Sequence, residues 1–381
     1  MKQFYKIVYC VPSLYIPGGV ERVLTLKANY FAEHLGYDIT IVLTDGKDKP
    51  LAFSLSDKVK VVNLDINFDE LWECSFFKKA FLYLVKQQCY KRRLRNALMS
   101  IRPDITDSLL RREINFINSI NDGSKKIGEL HVNRSNYRNF EENETNLLKN
   151  LFAKYWMHDL ISHLRQLDRF VVLTEEDRQA WTELDNVVAI PNPVSFPATE
   201  VSDLSRQRVI AVGRYAYQKG FDMLLKAWKI VEQGSQGWTL AVFGSGDREP
   251  YERMMEELAI DRSRCHLYGN TSEIQKEYLG SSIFAVSSRF EGLSMAMLEA
   301  MSCGLPVVSF ACPCGPRDVI TDGENGILVP KEDYEQLACG LLRLIQLPDL
   351  LRGMGKNAKE RAADFKIEML AGKWVPLFNS L

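Results

Sequence analysis

Short β-branched runs alternate with longer stretches of helical period along the whole chain. The runs KIVYCV (6–11), DITIVLT (38–44), VKVVNLDI (59–66), DITDSLL (104–110), KIGELHV (126–132) and RFVVLT (169–174) read as strands. VLTLKANYFAEHL (23–35) places its apolar residues at the spacing of an amphipathic helix. Strand then helix, repeated, predicts a parallel sheet, because parallel neighbours need a crossover long enough to hold a helix. After IPNPVSFPATEVSDLSR (190–206), rich in proline and poor in apolar periodicity, the rhythm restarts. RVIAVGR, FDMLLKAWKIVEQ, WTLAVFGSG, YERMMEELAI, CHLYGN, SIFAVSS, LPVVSF and GILVP follow in order. The pattern predicts an α/β protein of two doubly wound domains facing each other across a cleft, residues 1–190 and 207–365, joined by a linker at 191–206. Such sheets bind ligands beyond the carboxyl ends of their strands, so the loops after strands carry the search for a site.

Composition narrows the classes. With 381 residues, 46% hydrophobic and 25% charged, the chain can build two or three ordinary cores, which excludes disordered and fibrous proteins. A balance of 48 basic and 49 acidic residues offers no global attraction for nucleic acid. The apolar run before Pro12 is too short for a signal-peptide core, and no uncharged run reaches a membrane span, so a cytoplasmic protein is expected. Eight cysteines scattered without CxxC pairs fit reduced thiols, and Cys312 and Cys314 lack the further ligands a metal needs. No metal or cofactor is expected.

Three loops could receive a phosphate. Arg214 and Lys219 share a strand-to-helix turn, where an arginine fork, a lysine point charge and the helix start suit a diphosphate; two solvated surface cations would give the same spacing. The turn FGSGD (243–247) follows a strand, but Glu249 occupies the place of the third glycine of a dinucleotide fingerprint, which argues against NAD. PGGVER (17–22) opens a helix, and Gly18 and Gly19 there either let backbone approach a ligand or form a plain turn.

The stretch RFEGLSMAMLEAMSCGLP (289–306) places two carboxylates, Glu291 and Glu299, among aliphatic and small side chains. Ser294 reads as the N-cap of a helix, with Glu291 before it and Glu299 about one turn inside. A ligand crossing this helix start would meet hydroxyl-gripping carboxylates on either side of phosphate-facing amides around Gly292, Leu293 and Ser294. A sugar, a diphosphate and a ribose laid end to end present that order of groups. Exposed acids favoured by the helix dipole are the other reading.

EGLSMAMLEAMSCGLPVV resembles the Glu-x7-Glu motif of the retaining glycosyltransferases of family 4, the glycosyl transferases group 1, which have the two-Rossmann GT-B fold. GGVER, GRYAYQKG, IPNPV, FGSGD and DGENGILVP fall in that family's order, so the resemblance covers nearly the whole chain. It implies a transferase that moves a sugar from a nucleotide diphosphate donor, expected to be a UDP-sugar, to a hydroxyl of a glycan or polyprenyl-linked glycan in surface polysaccharide or glycoconjugate synthesis. It further implies that Glu299 binds the ribose, Glu291 contacts the sugar, and Arg214 with Lys219 holds the diphosphate. The loop around Asn270 and Thr271 would hold the base. A tail helix around Trp374, within 366–381, would return to the first domain.

On the acceptor side, His131 lies just past a strand end, where the family has a histidine facing the donor sugar; a structural histidine is the alternative. Asn133 and Arg134 follow it without an assigned role. Residues 74–103 carry Lys78, Lys79, Lys86, Lys91, Arg92, Arg93, Arg95 and Arg102 but no acid, interleaved with Phe76, Phe77, Phe81, Tyr83, Leu84 and Tyr90. Such a helix fits peripheral attachment to an anionic membrane surface, the inner face of the plasma membrane, where each cation adds about 1 kcal/mol. It also fits an ordinary helix packed on the sheet with its cations in water. The chain contains no Asp-x-Asp motif, so a metal clamp on the diphosphate is not expected. Two rivals remain from the sequence: a nucleotide-sugar-binding scaffold without activity, and a nicotinamide-dependent oxidoreductase.

Overall fold

The β-branched runs form strands in the computed structural model, which describes residues 4–137, 147–196 and 198–381; the central ones are buried on both faces, while the edge strand at Lys60–Asn63 is exposed or half-buried. The first sheet holds β1 (Lys6–Val11), β2 (Asp38–Leu43), β3 (Lys60–Asn63), β4 (Ile105–Ser108), β5 (Lys125–Glu129), β6 (Arg169–Val172) and β7 (Val187–Ala189). Their spatial order is β3-β2-β1-β4-β5-β6-β7, and every pairing is parallel. The edge strand β7 falls outside every apolar run picked from the sequence; three residues give too little alternation to see.

The second sheet holds β8 (Arg208–Val212), β9 (Thr239–Phe243), β10 (Cys265–Tyr268), β11 (Ile283–Val286), β12 (Val307–Phe310) and β13 (Gly326–Val329). Their order is β10-β9-β8-β11-β12-β13, again parallel throughout. Chain order reverses between β1 and β4 in one sheet and between β8 and β11 in the other. At these switch points two crossovers leave in opposite directions and the following loops part, opening a crevice.

The chain divides into two compact units, residues 1–193 with Ala371–Leu381, and Val194–Leu370. In the first, Ile7, Tyr9 and Val11 face one core and Val8 and Cys10 the other, as the two-residue period of a strand requires. The C-terminal helix Ile367–Asn379 ends in this unit: Trp374, Leu377 and Phe378 pack with Tyr5, Tyr37 and Phe31. Tyr5 donates its hydroxyl hydrogen to Asn379 at 2.9 Å. In the second, Trp228 of the Phe221–Gly234 helix lies fully buried against the sheet, in a core that also takes Leu337 and Leu341 of the Tyr334–Gln346 helix.

Candidate functional site

The loops after β8 and β11 leave adjacent strands at the second unit's switch point. The first runs through a turn at Tyr217–Lys219 to Gly220, which holds φ +60 before the Phe221–Gly234 helix. A Cβ on Gly220 would lie 2.1 Å from the Ser287 carbonyl oxygen, so glycine alone lets the two loops lie this close. Polar bonds then stitch them together. The Arg289 amide donates to the Gln218 carbonyl (2.8 Å), Gln218 Nε2 to the Phe290 carbonyl (3.1 Å), and the Ser287 hydroxyl to the Lys219 carbonyl (2.8 Å). The Arg289 guanidinium donates to the Tyr217 carbonyl at 2.7 Å and to both oxygens of Asp222 at 2.9 and 2.6 Å, and lies 4.0 Å over the Tyr217 ring.

This stitching delivers Lys219 onto Glu291. Lys219 Nζ is 2.6 Å from Glu291 Oε1, which also accepts the Ser288 hydroxyl at 2.6 Å. Glu291 is 5% exposed and the Lys219 side chain 17%, so the pair is largely desolvated yet its cation still reaches water. Val212, Phe221, Phe284 and Ser294 line a small cavity beside it. The surrounding dryness is felt by Cys312, whose thiol is pushed up to about 12 by burial and then by the Glu291 charge, with Lys219 opposing.

Glu299 sits on the Met295–Ser302 helix, is also 5% exposed, and accepts the Tyr278 hydroxyl at 3.1 Å. Burial of both carboxylates removes the reading as exposed helix-start acids. Ser294 occupies the N-cap position, but its hydroxyl makes no capping bond. Gly315, at φ +88, brings the loop after β12 against the Gly292–Leu293 turn; a Cβ there would be 3.2 Å from the Gly292 carbonyl oxygen.

Other sequence-derived candidates are not drawn into this knot. Arg214 is exposed and extends to Gln218 Oε1 at 3.4 Å, so the pair Arg214 and Lys219 points in different directions. Asn270 is exposed beyond β10, and Thr271 Oγ accepts the Glu273 amide at 3.0 Å in a local turn. The glycines of FGSGD serve loop packing: a Cβ on Gly244 would fall 1.8 Å from the Gly213 carbonyl oxygen. In the first unit Gly18 is extended at φ −105 before the Gly19–Glu33 helix, and its missing side chain leaves room for the Glu21 carboxylate. His131 follows β5 with Nε2 3.5 Å from Glu129 Oε2. Arg134 grips both Glu183 oxygens at 2.6 and 2.7 Å, and this bond, against a small burial effect, pulls the Glu183 carboxyl down to about 2.

The basic helix Phe76–Ile101 turns Tyr90, Leu94 and Leu98 into the core, while Phe81, Leu84 and Val85 are exposed. Two of its cations are spent on the chain itself: Lys86 donates to the Ile66 and Asn67 carbonyls (both 2.6 Å) and to Glu70 (2.8 Å), and Arg93 to the Leu64 and Asp65 carbonyls. Lys78, Arg92, Arg95 and Arg102 are exposed. The side chains of Phe76 and Phe77 lie outside the described residues. Among the described residues, no helix is long and apolar enough to cross a membrane, no group of three or more His, Cys, Asp or Glu could hold a metal, and all eight cysteines are free.

Sequence reasoning missed Ser288, Tyr278 and the Arg289–Asp222 brace. Arg289 opens the quoted stretch and Ser288 immediately precedes it, so both could have been taken as part of the motif. Tyr278 lies 21 positions from Glu299, on another short helix, and carries no local signal.

A family model described as glycosyl transferases group 1 matches residues 196–361, inside the second unit. The chain is 26% identical to an uncharacterized glycosyltransferase of Haemophilus influenzae, over 97% of this chain and 98% of that protein. It is 31% identical to the amylovoran biosynthesis glycosyltransferase AmsD of Erwinia amylovora over 56% of this chain and 62% of that protein. A Staphylococcus aureus TarM mutant solved with fondaparinux, α-GlcNAc-glycerol and UDP superposes with a TM-score of 0.77, at 16% identity, over 99% of this chain and 100% of that one. The fold is therefore GT-B, built of two parallel-sheet α/β domains.

Proposed function

We propose that this chain is a retaining, metal-independent glycosyltransferase of the glycosyl transferases group 1 family. It moves a sugar from a nucleotide diphosphate donor, UDP-linked by preference, to a hydroxyl of a glycan or lipid-linked glycan during polysaccharide or glycoconjugate synthesis. The observation that carries this reading is the Lys219–Glu291–Ser288 knot at the mouth of the Met295–Ser302 helix. As a glycosidic bond breaks, negative charge grows on the leaving diphosphate; a preorganised cation in a poorly solvated site stabilises that charge where water would have to reorganise. Lys219 fills that role, with Arg214 swinging in from solvent. Glu291 orients Lys219 and the donor sugar, and Glu299, steadied by Tyr278, takes ribose hydroxyls. Gly292, Leu293 and Ser294 supply the backbone beside the phosphates, and Asn270 with Thr271 borders the base.

Acceptor delivery at an anionic membrane is supported by Arg92 and Arg95 on the helix that exposes Phe81 and Leu84. Neutralising Arg92 and Arg95 together should reduce sedimentation with anionic liposomes; equal sedimentation removes this part.

The test is a panel of nucleotide sugars with mass detection of product on free and lipid-linked glycans, preceded by thermal shift with UDP, GDP, ADP and NAD. Stabilisation by UDP and a mass gain of one sugar are expected. Stabilisation by NAD alone, or nucleotide binding with no transfer across the panel, would reject the proposal.

A further inference from the structure

A second buried ion pair lies in the first unit, away from the Lys219 knot. Tyr9 on β1 is the register partner of Asp107 on β4, and Asp107 of Ile127 on β5. Glu129 and His131 follow Ile127 at two-residue steps, and Glu129, like Tyr9 and Asp107, comes within reach of the Gly19–Glu33 helix. From that helix Lys27 donates to Glu129 Oε1, and its Nζ lies 4.0 Å from Asp107 Oδ2. Two rings flank the ammonium, Tyr9 at 4.8 Å and Trp374 of the C-terminal helix at 4.2 Å. The side chains of Lys27, Asp107 and Glu129 are 3%, 0% and 4% exposed. The second Glu129 oxygen is 3.5 Å from His131 Nε2, an electrostatic contact outside hydrogen-bonding geometry, in a ring that is 7% exposed and neither of whose nitrogens has a hydrogen-bond partner.

Burial and the Glu129 charge, with Lys27 opposing, push Asp107 well above the usual carboxylate range. Burial works against the Glu129 charge too, but Lys27 and then His131 hold that carboxyl below its usual value. Of the two acids, Glu129 is the one that stays ionised. An ionised carboxylate can only accept hydrogen bonds, so the imidazole nitrogen facing it must carry the proton; a bare nitrogen there would set lone pair against lone pair.

We propose that Glu129, anchored by Lys27, is a positioning residue that fixes His131 with its proton on Nε2 and leaves Nδ1 as an acceptor for a ligand hydroxyl. The ligand half rests on the proposed sugar transfer; the tautomer half does not. The enclosed ring with an unused Nδ1 is the observation that asks for a hydroxyl partner, and sugars supply that chemistry.

Nitrogen-15 NMR of histidine-labelled protein tests it, with His131→Asn identifying one imidazole among five. The wild type should show a protonated Nε2 and a bare Nδ1. In Glu129→Gln the carboxamide can donate to the ring, so the Nδ1–H form should gain population. If the lone Lys27 charge prevents folding, Lys27→Met with Glu129→Gln removes both charges and should show the same tautomer change. A proton on Nδ1 in the wild type, or an unchanged ring in both variants, overturns the tautomer. In the transfer assay Glu129→Gln should lower kcat/KM about tenfold. An unchanged kcat/KM beside a changed tautomer overturns the ligand half alone, and absence of transfer in the wild type counts against the proposed function while the NMR result stands.

Discussion

Among the described residues, each unit holds a lysine–glutamate pair with a buried carboxylate near the carboxyl end of its sheet, and the two differ in what surrounds them. Lys27–Glu129 is sealed: a helix supplies the lysine, two aromatic rings flank it, and the lysine side chain is 3% exposed. Lys219–Glu291 is built from two loops, with a serine hydroxyl as third partner and the lysine 17% exposed. A sealed pair cannot exchange partners without unfolding its roof, so it holds other groups in place. A pair at a loop mouth can share its cation with an arriving anion. The same two residue types thus give a brace in one unit and a ligand contact in the other, and the setting decides which.

Breaking the sealed pair should have the largest effect. Lys27→Met leaves Glu129 charged, buried and unpaired, and should cost about 3–5 kcal/mol in urea unfolding. Restoring neutrality with Glu129→Gln in the same chain should recover much of that loss. At the loop mouth the expected effect moves from stability to turnover: Lys219→Ala should lower kcat about 10²–10³-fold with the fold retained by circular dichroism. Wild-type rates would remove Lys219 from the diphosphate role. Tyr278→Phe strips one hydroxyl donor from the Glu299 carboxylate and should cost about 1.5–3 kcal/mol of stability and raise the donor KM, read by calorimetry and initial rates.

The smallest effect is predicted for the half-exposed Arg134–Glu183 pair, a control for burial. Its folded carboxyl at about 2 lies below the ordinary value of 4.5, so its contribution is present above pH 4.5 and is lost as pH falls toward 2. With the Glu183 side chain 38% exposed, solvent screening limits it to at most about 1 kcal/mol, and Arg134→Ala should flatten acid unfolding only slightly.

Much of this could be read before any coordinates existed, and the particular residues show why. KIVYCV and SIFAVSS are local patterns, and each became a strand close to its expected limits because strand formation follows apolar period over a few residues. Glu291 and Glu299 stood out because charge is costly in an apolar stretch, and both are in fact buried. Sequence spacing within the turn placed Arg214 and Lys219 together but said nothing of side-chain direction: Lys219 turns inward to Glu291, while Arg214 is exposed and reaches Gln218. Tyr278, Lys27 and Asp107 gave no signal, since a lone tyrosine, a helix lysine and a strand aspartate look ordinary until the fold sets them beside their partners.

By itself the sequence determined the alternation of strand and helix, the repetition of that unit, and the acid-bearing helix start, all properties of neighbouring residues. Tertiary structure decided which charges meet. The crossings of parallel strands bring together loops some 70 positions apart, as with Lys219 and Glu291 at a separation of 72, and burial there sets whether a pair is solvated, sealed or poised. Coulomb energy depends on distance and surroundings in space, and the order of residues along a chain specifies neither until the sheet has formed.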